Sequence, residues 1–236
     1  MSYRISFLCL TVLALSSCAH AEPAAAAPMH SQAKAGLKFS TKRLQDTYRN
    51  APSIEATFQQ EVYQASLART KTSSGKLALE RPSRIHWEVL EPEKSLTISN
   101  GTKLWYYTPN AGVSGKGQVM ERSARQIMQQ PLFRILTGSA DLTNEFTIEK
   151  QEQMAGIVRG GAVTKLTLMP KRAKLWGDME RVILTVDPNY LISKILIHSR
   201  SGNRTKITLQ NQKVGSKLSP NLFDFSPPAG TEVLKD

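Results

Sequence analysis

Between Gly75 and Trp105 the chain alternates apolar and polar residues three times in succession, and this constrains the fold more than any other stretch. Leu77 and Leu79 alternate with Lys76, Ala78 and Glu80; Ile85, Trp87 and Val89 with Arg84, His86 and Glu88; Leu96 and Ile98 with Ser95, Thr97 and Ser99. A period of two over runs this short predicts half-buried strands with one apolar face. Pro82, Glu91-Pro92 and Asn100-Gly101 punctuate the runs, which predicts an antiparallel meander with tight turns. Arg81 interrupts the pattern: if Leu77 and Leu79 point inward, the pleat turns Arg81 inward too. A guanidinium on an apolar face needs partners, since an unpaired buried charge costs several kcal/mol. Two readings of Arg81 stand, a strand-end side chain snorkelling to nearby carbonyls and a polar latch at the mouth of an apolar concavity.

The N-terminus reads as a secretory leader, 1–21, with Arg4 before an apolar run, Ile5 to Leu15, too short to span a bilayer. Two processing sites compete. Ala19-His20-Ala21 fits cleavage before Glu22, whereas Leu15-Ser16-Ser17-Cys18 resembles a lipobox that would leave a lipidated Cys18. Residues 22–35 are then a disordered start or a tether, and 36–236 one folded domain. Both cysteines, Cys9 and Cys18, fall in the leader, so the folded part has no disulfide, thiolate metal site or cysteine nucleophile. The net charge is +12. The basic residues are scattered singly along strands with no aromatic-interleaved run, which argues against nucleic acid as a partner.

Residues 31–50 read as an amphipathic helix, with Leu37, Leu44 and Tyr48 on one stripe. A strand follows over 54–63, and the polar stretch Ser66–Ser74 reads as a hairpin loop. Leu104–Thr108 is a further strand, and Pro109–Gly117 a glycine-rich tip that lacks the G-K-[ST] ending of a phosphate loop. Ser123–Gly138 reads as a helix capped by Ser123 and ended by Gly138, kinked or split at Pro131. Its apolar face, with Ile127, Met128, Leu132 and Leu136, is too broad for a surface helix. It either plugs a core or covers an open apolar face as a movable lid. Strands are expected at Glu145–Gln151, Gly156–Arg159, Val163–Met169, Glu180–Val186, Leu191–Ser199 and Arg204–Gln210. Many short strands with one helix between them predict a mainly β fold, an antiparallel barrel or half-barrel with helices on one side.

Catalytic groupings are sparse. His86 and His198 each stand alone in a strand, with no metal-ligand spacing, and no G-x-S-x-G elbow occurs. A cross-strand carboxylate pair, and so a hydrolase, is the remaining enzymatic reading. The stronger reading is a non-enzymatic binder of hydrophobic ligands without cofactor or metal. Its expected walls are Leu77, Leu79, Ile85, Trp87, Leu96 and Ile98, with Ile127, Met128, Leu132 and Leu136 from the helix.

Several segments together resemble the LolA family of periplasmic lipoprotein carriers and the wider family that includes the outer-membrane receptor LolB. They are A-T-F-Q-Q at 56–60, G-K-L-A-L-E-R-P-S-R-I-H-W at 75–87, E-P-E-K-S-L-T-I-S-N-G-T-K-L-W-Y-Y-T-P at 91–109, the helix with Pro131, L-T-L-M-P-K at 166–171 and F-D-F-S-P-P-A-G-T-E-V at 223–233. The resemblance implies an unclosed antiparallel β-barrel with a helical lid over a hydrophobic cavity. The cavity would take the acyl chains of lipoproteins released by an inner-membrane ABC transporter and pass them to an outer-membrane receptor. It implies a monomer in the periplasm, with the lid-latching arginine at Arg81 and a cavity-wall position at Ile85. A lipidated Cys18 would instead suit an anchored receptor of the same fold.

Overall fold

Alternation in the sequence becomes one continuous sheet. The computed structural model describes residues 39–112, 115–154 and 162–235. The leader, Cys18, the segment 22–35, the first part of the expected 31–50 helix and the expected strand 156–159 lie outside the described residues. The chain runs α1 (Thr41–Asn50), β1 (Ser53–Gln64), β2 (Arg69–Glu80), β3 (Arg84–Glu91), β4 (Ser95–Asn100), β5 (Lys103–Thr108) and β6 (Gln118–Ser123). Then come α2 (Ala124–Met128), α3 (Pro131–Leu136), β7 (Phe146–Met154), β8 (Val163–Pro170), β9 (Met179–Val186), β10 (Ile192–Ser199), β11 (Arg204–Val214) and β12 (Glu232–Lys235).

The twelve strands form a single sheet in the order β12-β6-β5-β4-β3-β2-β1-β11-β10-β9-β8-β7. Neighbours are antiparallel except β12, which pairs parallel with β6. β12 and β7 are its two edges, so the sheet is unclosed, as the family resemblance implies. The chain passes from the central hairpin out to β6, crosses through α2 and α3, and returns from the far edge at β7 to close on β1 with β11.

Register fixes which side chains share a face. Leu79 pairs with Ile54 and Ile85, and Leu77 with Ala56 and Trp87. On the other half, Phe58 pairs with Leu209 and Ile195 with Ile207. These residues, with Leu184, Leu166 and Phe146 further out, make the buried inner face. Gly75 lets β2 and β3 come close there, because a Cβ on it would sit 1.8 Å from the Glu88 carbonyl oxygen.

The polar stretch expected as a loop is largely strand. β2 begins at Arg69, and Thr70 and Thr72 pair with Tyr63 and Glu61. The reversal takes only the 3-10 turn Ala65–Leu67 and Ala68, which lies in the left-handed region at φ 47°. This end of the hairpin is exposed on both faces, so its backbone pairs without the apolar alternation that a half-buried strand leaves in the sequence.

α1 lies on the inner face through Leu44 and Tyr48. Ser40 caps it by accepting the Arg43 backbone N–H at 3.2 Å. The buried Tyr48 hydroxyl accepts the Ile192 backbone N–H at 2.7 Å, which ties the helix to the start of β10.

Candidate functional site

The expected helix 123–138 is two short helices that lie across the inner face. Ser123 caps α2 by accepting the Arg125 N–H. Pro131 has no N–H to continue the ladder and opens α3 at its first position, where none is needed. Gly138 follows at φ +65°, against the last turn of α1, where a Cβ would lie 2.4 Å from the Arg49 backbone nitrogen. The break at Pro131 shifts the helical phase. Phe133, on the polar side of a continuous helix, turns inward beside Ile135 and Leu136, while Met128 and Leu132 are only partly buried.

These helices cover the wall that the sequence singles out. Leu77, Leu79, Ile85, Trp87, Ile127 and Leu136 are in one buried cluster, with Met128 and Leu132 packed against it. Trp87 is the centre of the contact. Its ring lies 4.1 Å from that of Phe58 on the sheet and 5.9 Å, edge-on, from that of Phe133 on α3. Ile85 is fully buried, and Leu77, Leu79 and Trp87 nearly so. The apolar hollow is thus filled by the protein's own lid, and a ligand would have to take the place of α2 and α3.

Leu96 and Ile98 are on the opposite face, which corrects their expected place in this wall. Ile85 pairs with Ser99 and Trp87 with Thr97, so the inner positions of β4 are small and polar. The Ser99 hydroxyl donates to the Ser83 carbonyl at 2.9 Å. Ile98 instead packs with Trp105 and Val119, with Leu96, Tyr107 and Phe225 against them. The segment after β11 covers this outer face through Leu218, Leu222, Phe223 and Phe225. His86 is fixed there, its Nδ1 2.8 Å from the Leu222 carbonyl oxygen. An apolar alternation gives the period of a strand but not its phase in a sheet that is apolar on both sides.

Two joints hold the last turn of α3. At one, Arg81 Nη1 donates to the carbonyl oxygen of Thr137 at 2.5 Å, just past α3. The void beside this joint, bounded by Tyr48, Leu79, Leu136 and Thr137, is about 10 Å³. At the other, three residues earlier, Arg134 Nη2 donates to Glu145 Oε2 at 2.6 Å, and Nη1 to the Leu175 carbonyl at 3.3 Å. The Arg134 guanidinium lies 4.1 Å from the centre of the Trp176 ring. Glu145 Oε1 accepts the Asp141 N–H at 3.0 Å. Phe133, Arg134, Glu145 and Trp176 are absent from the sequence-level site. Phe133 is hidden by the phase shift, and Trp176 by its position just after a short 3-10 turn, Ala173–Leu175, with no periodicity to mark it.

Among the described residues no three His, Cys, Asp or Glu side chains converge as a metal site would require. Asp141 holds a turn: it accepts from the Asn144 and Thr143 backbones and from the Thr143 hydroxyl, and these bonds lower its pKa to about 2. Its carboxylate is committed to the backbone rather than poised for proton transfer.

Residues 49–226 match the family model described as outer membrane lipoprotein carrier protein LolA. An outer-membrane lipoprotein carrier protein from Methylococcus capsulatus is 28% identical over 194 residues, covering 82% of this chain and 86% of its own. One from Chromohalobacter salexigens is 26% identical over 212 residues, covering 89% and 92%. The solved structure of an uncharacterized conserved protein from Thermus thermophilus aligns with a TM-score of 0.52 at 13% identity, over 84% of this chain and all of its own, a likeness of fold alone. The match over most of the chain, on a sheet of the expected unclosed form, places this protein in the LolA family of outer membrane lipoprotein carriers.

Proposed function

We propose that this protein carries lipoproteins between membranes by exchanging its lid for their acyl chains. The observation that carries the reading is a deeply apolar sheet face covered by two short helices whose far end is fastened by Arg81. Ile127, Phe133, Ile135 and Leu136 are the lid's large buried side chains. At roughly 1.5–3 kcal/mol each they bring about 6–12 kcal/mol of burial. A lipoprotein acyl chain of some 15 methylenes brings ~12 kcal/mol at about 0.8 kcal/mol per methylene. The two covers are of the same order, so either can replace the other, and capture stays reversible.

In this reading the chain works in the periplasm as a monomer without cofactor or catalytic step. It receives cargo from an inner-membrane ABC transporter and passes it to an outer-membrane receptor. The test is to remove detergent from a purified diacylated lipoprotein in the presence of this protein and separate the mixture by size. A soluble one-to-one complex is expected; sedimentation of the lipoprotein unchanged by the protein would overturn the reading. The lipobox-like Leu15-Ser16-Ser17-Cys18 favours a second reading, an anchored receptor of the same fold. Mass spectrometry of the mature N-terminus separates the two, since diacylglyceryl on Cys18 removes the soluble carrier.

A further inference from the structure

Beside the lid, the junction of α2 and α3 and the segment Leu175–Met179 flank an open pocket of about 360 Å³. Its apolar lining includes Pro131, Trp176, Met179 and Ile197, and the glutamines Gln126, Gln129 and Gln130 line it from the lid. Trp176 is only 2% exposed, and its indole Nε1, shielded from solvent, has no hydrogen-bond acceptor. Buried donors are ordinarily paired, and an indole N–H can only donate. The ring has little freedom to turn towards a partner, because Arg134 lies on it and the Phe146 ring is 4.5 Å away.

We propose that the surface of Leu175–Met179, bared when α2 and α3 move aside, receives the polar end of a lipid anchor, and that Trp176 Nε1 donates to an ester carbonyl there. The proposal rests on the carrier reading and adds a determinant of what is carried. Displacing α3 lifts Arg134 from the indole and uncovers it as the acyl chains enter. An ester carbonyl suits the site on two counts. It is an acceptor without a proton of its own, and it is joined directly to an alkyl chain that the neighbouring apolar walls can bury. An anionic group suits it less, because the Arg134 charge is taken by Glu145 and Asp178 also lines the pocket.

The test compares a synthetic diacylated lipopeptide with its dialkyl ether analogue, which has the same chains without those carbonyls. Both are titrated into the full-length protein and into Trp176→Phe, which keeps an aromatic ring and removes the N–H. The wild type is expected to prefer the ester form by roughly three- to tenfold, the yield of one hydrogen bond, and the variant to lose that ratio. Equal affinity of the wild type for the two ligands overturns the proposal and leaves the carrier reading standing, a result that does not depend on how the variant folds. A preference retained by Trp176→Phe also overturns it. Failure of the wild type to bind either ligand overturns the carrier reading, and this proposal with it.

Discussion

Arg81 Nη1 and the Thr137 carbonyl oxygen are 2.5 Å apart, a charge-assisted hydrogen bond between the end of β2 and the end of the lid. Arg81 is otherwise an exposed side chain, so the bond contributes about 1 kcal/mol after solvent screening. Arg81→Leu is therefore expected to fold normally, with an unfolding midpoint close to wild type, while shifting the lid towards its open form. Lipoprotein should be captured but retained, and transfer from the purified complex to receptor-bearing vesicles should fall several-fold. Normal transfer by this variant would remove the latch role.

Arg134 and Glu145 couple the last turn of α3 to the residue before β7, and their side chains are 18% and 19% exposed. A pair this sheltered is worth more than a surface pair. A double-mutant cycle with Arg134→Met and Glu145→Gln should give a coupling of about 1–2 kcal/mol in urea unfolding. A coupling near zero would show that Arg134 acts only through its stacking on Trp176.

Tyr48→Phe removes the acceptor of the buried Ile192 N–H and should cost about 1–3 kcal/mol by denaturant titration. Burial also raises the Tyr48 pKa well above its ordinary value of 10.0, although the Ile192 bond opposes the shift. Its neutral form is favoured in the folded state. That contribution is complete below pH 10 and declines as pH rises further, when the unfolded chain ionises more readily. The wild type should lose stability above pH 10 more steeply than Tyr48→Phe, and parallel curves would contradict this.

Asp141 titrates in the opposite sense. Its folded pKa is lowered from 3.8 to about 2, first by the Asn144 backbone N–H and then by the Thr143 hydroxyl. The stabilisation is present above pH 3.8 and is lost as pH falls through about 2. The stability difference between wild type and Asp141→Ala should therefore shrink across that window. A constant difference would mean that the turn is held by something other than the carboxylate.

The central meander is readable because Leu77, Leu79, Ile85 and Trp87 occupy the single buried side of a regular hairpin, where period and phase coincide. Phase fails one strand later. β4 turns Thr97 and Ser99 inward and gives Leu96 and Ile98 to the outer side, because this sheet buries apolar residues on both faces. The lid helices are readable as apolar, but one proline changes which residues point in, and Phe133 is the result. Trp176, Arg134 and Glu145 meet from three separate places along the chain, so no local pattern announces them. β12 is four residues long and pairs parallel with β6, more than a hundred residues earlier, and short parallel edges leave little trace in a sequence.

The tail that follows β11 has a consequence for traffic through this fold. By spending Leu218, Leu222, Phe223 and Phe225 on one side of the sheet, the chain upholsters part of that side with its own tail, and its last strand is stitched into the edge; beside the tail a hollow of about 380 Å³ stays open between Thr57, Lys76, His86 and Leu222. The other side is covered by α2 and α3, the elements that the proposed exchange would move. In the proposed exchange, the outer apolar residues of β4 and β5 are thereby kept out of a passenger's reach.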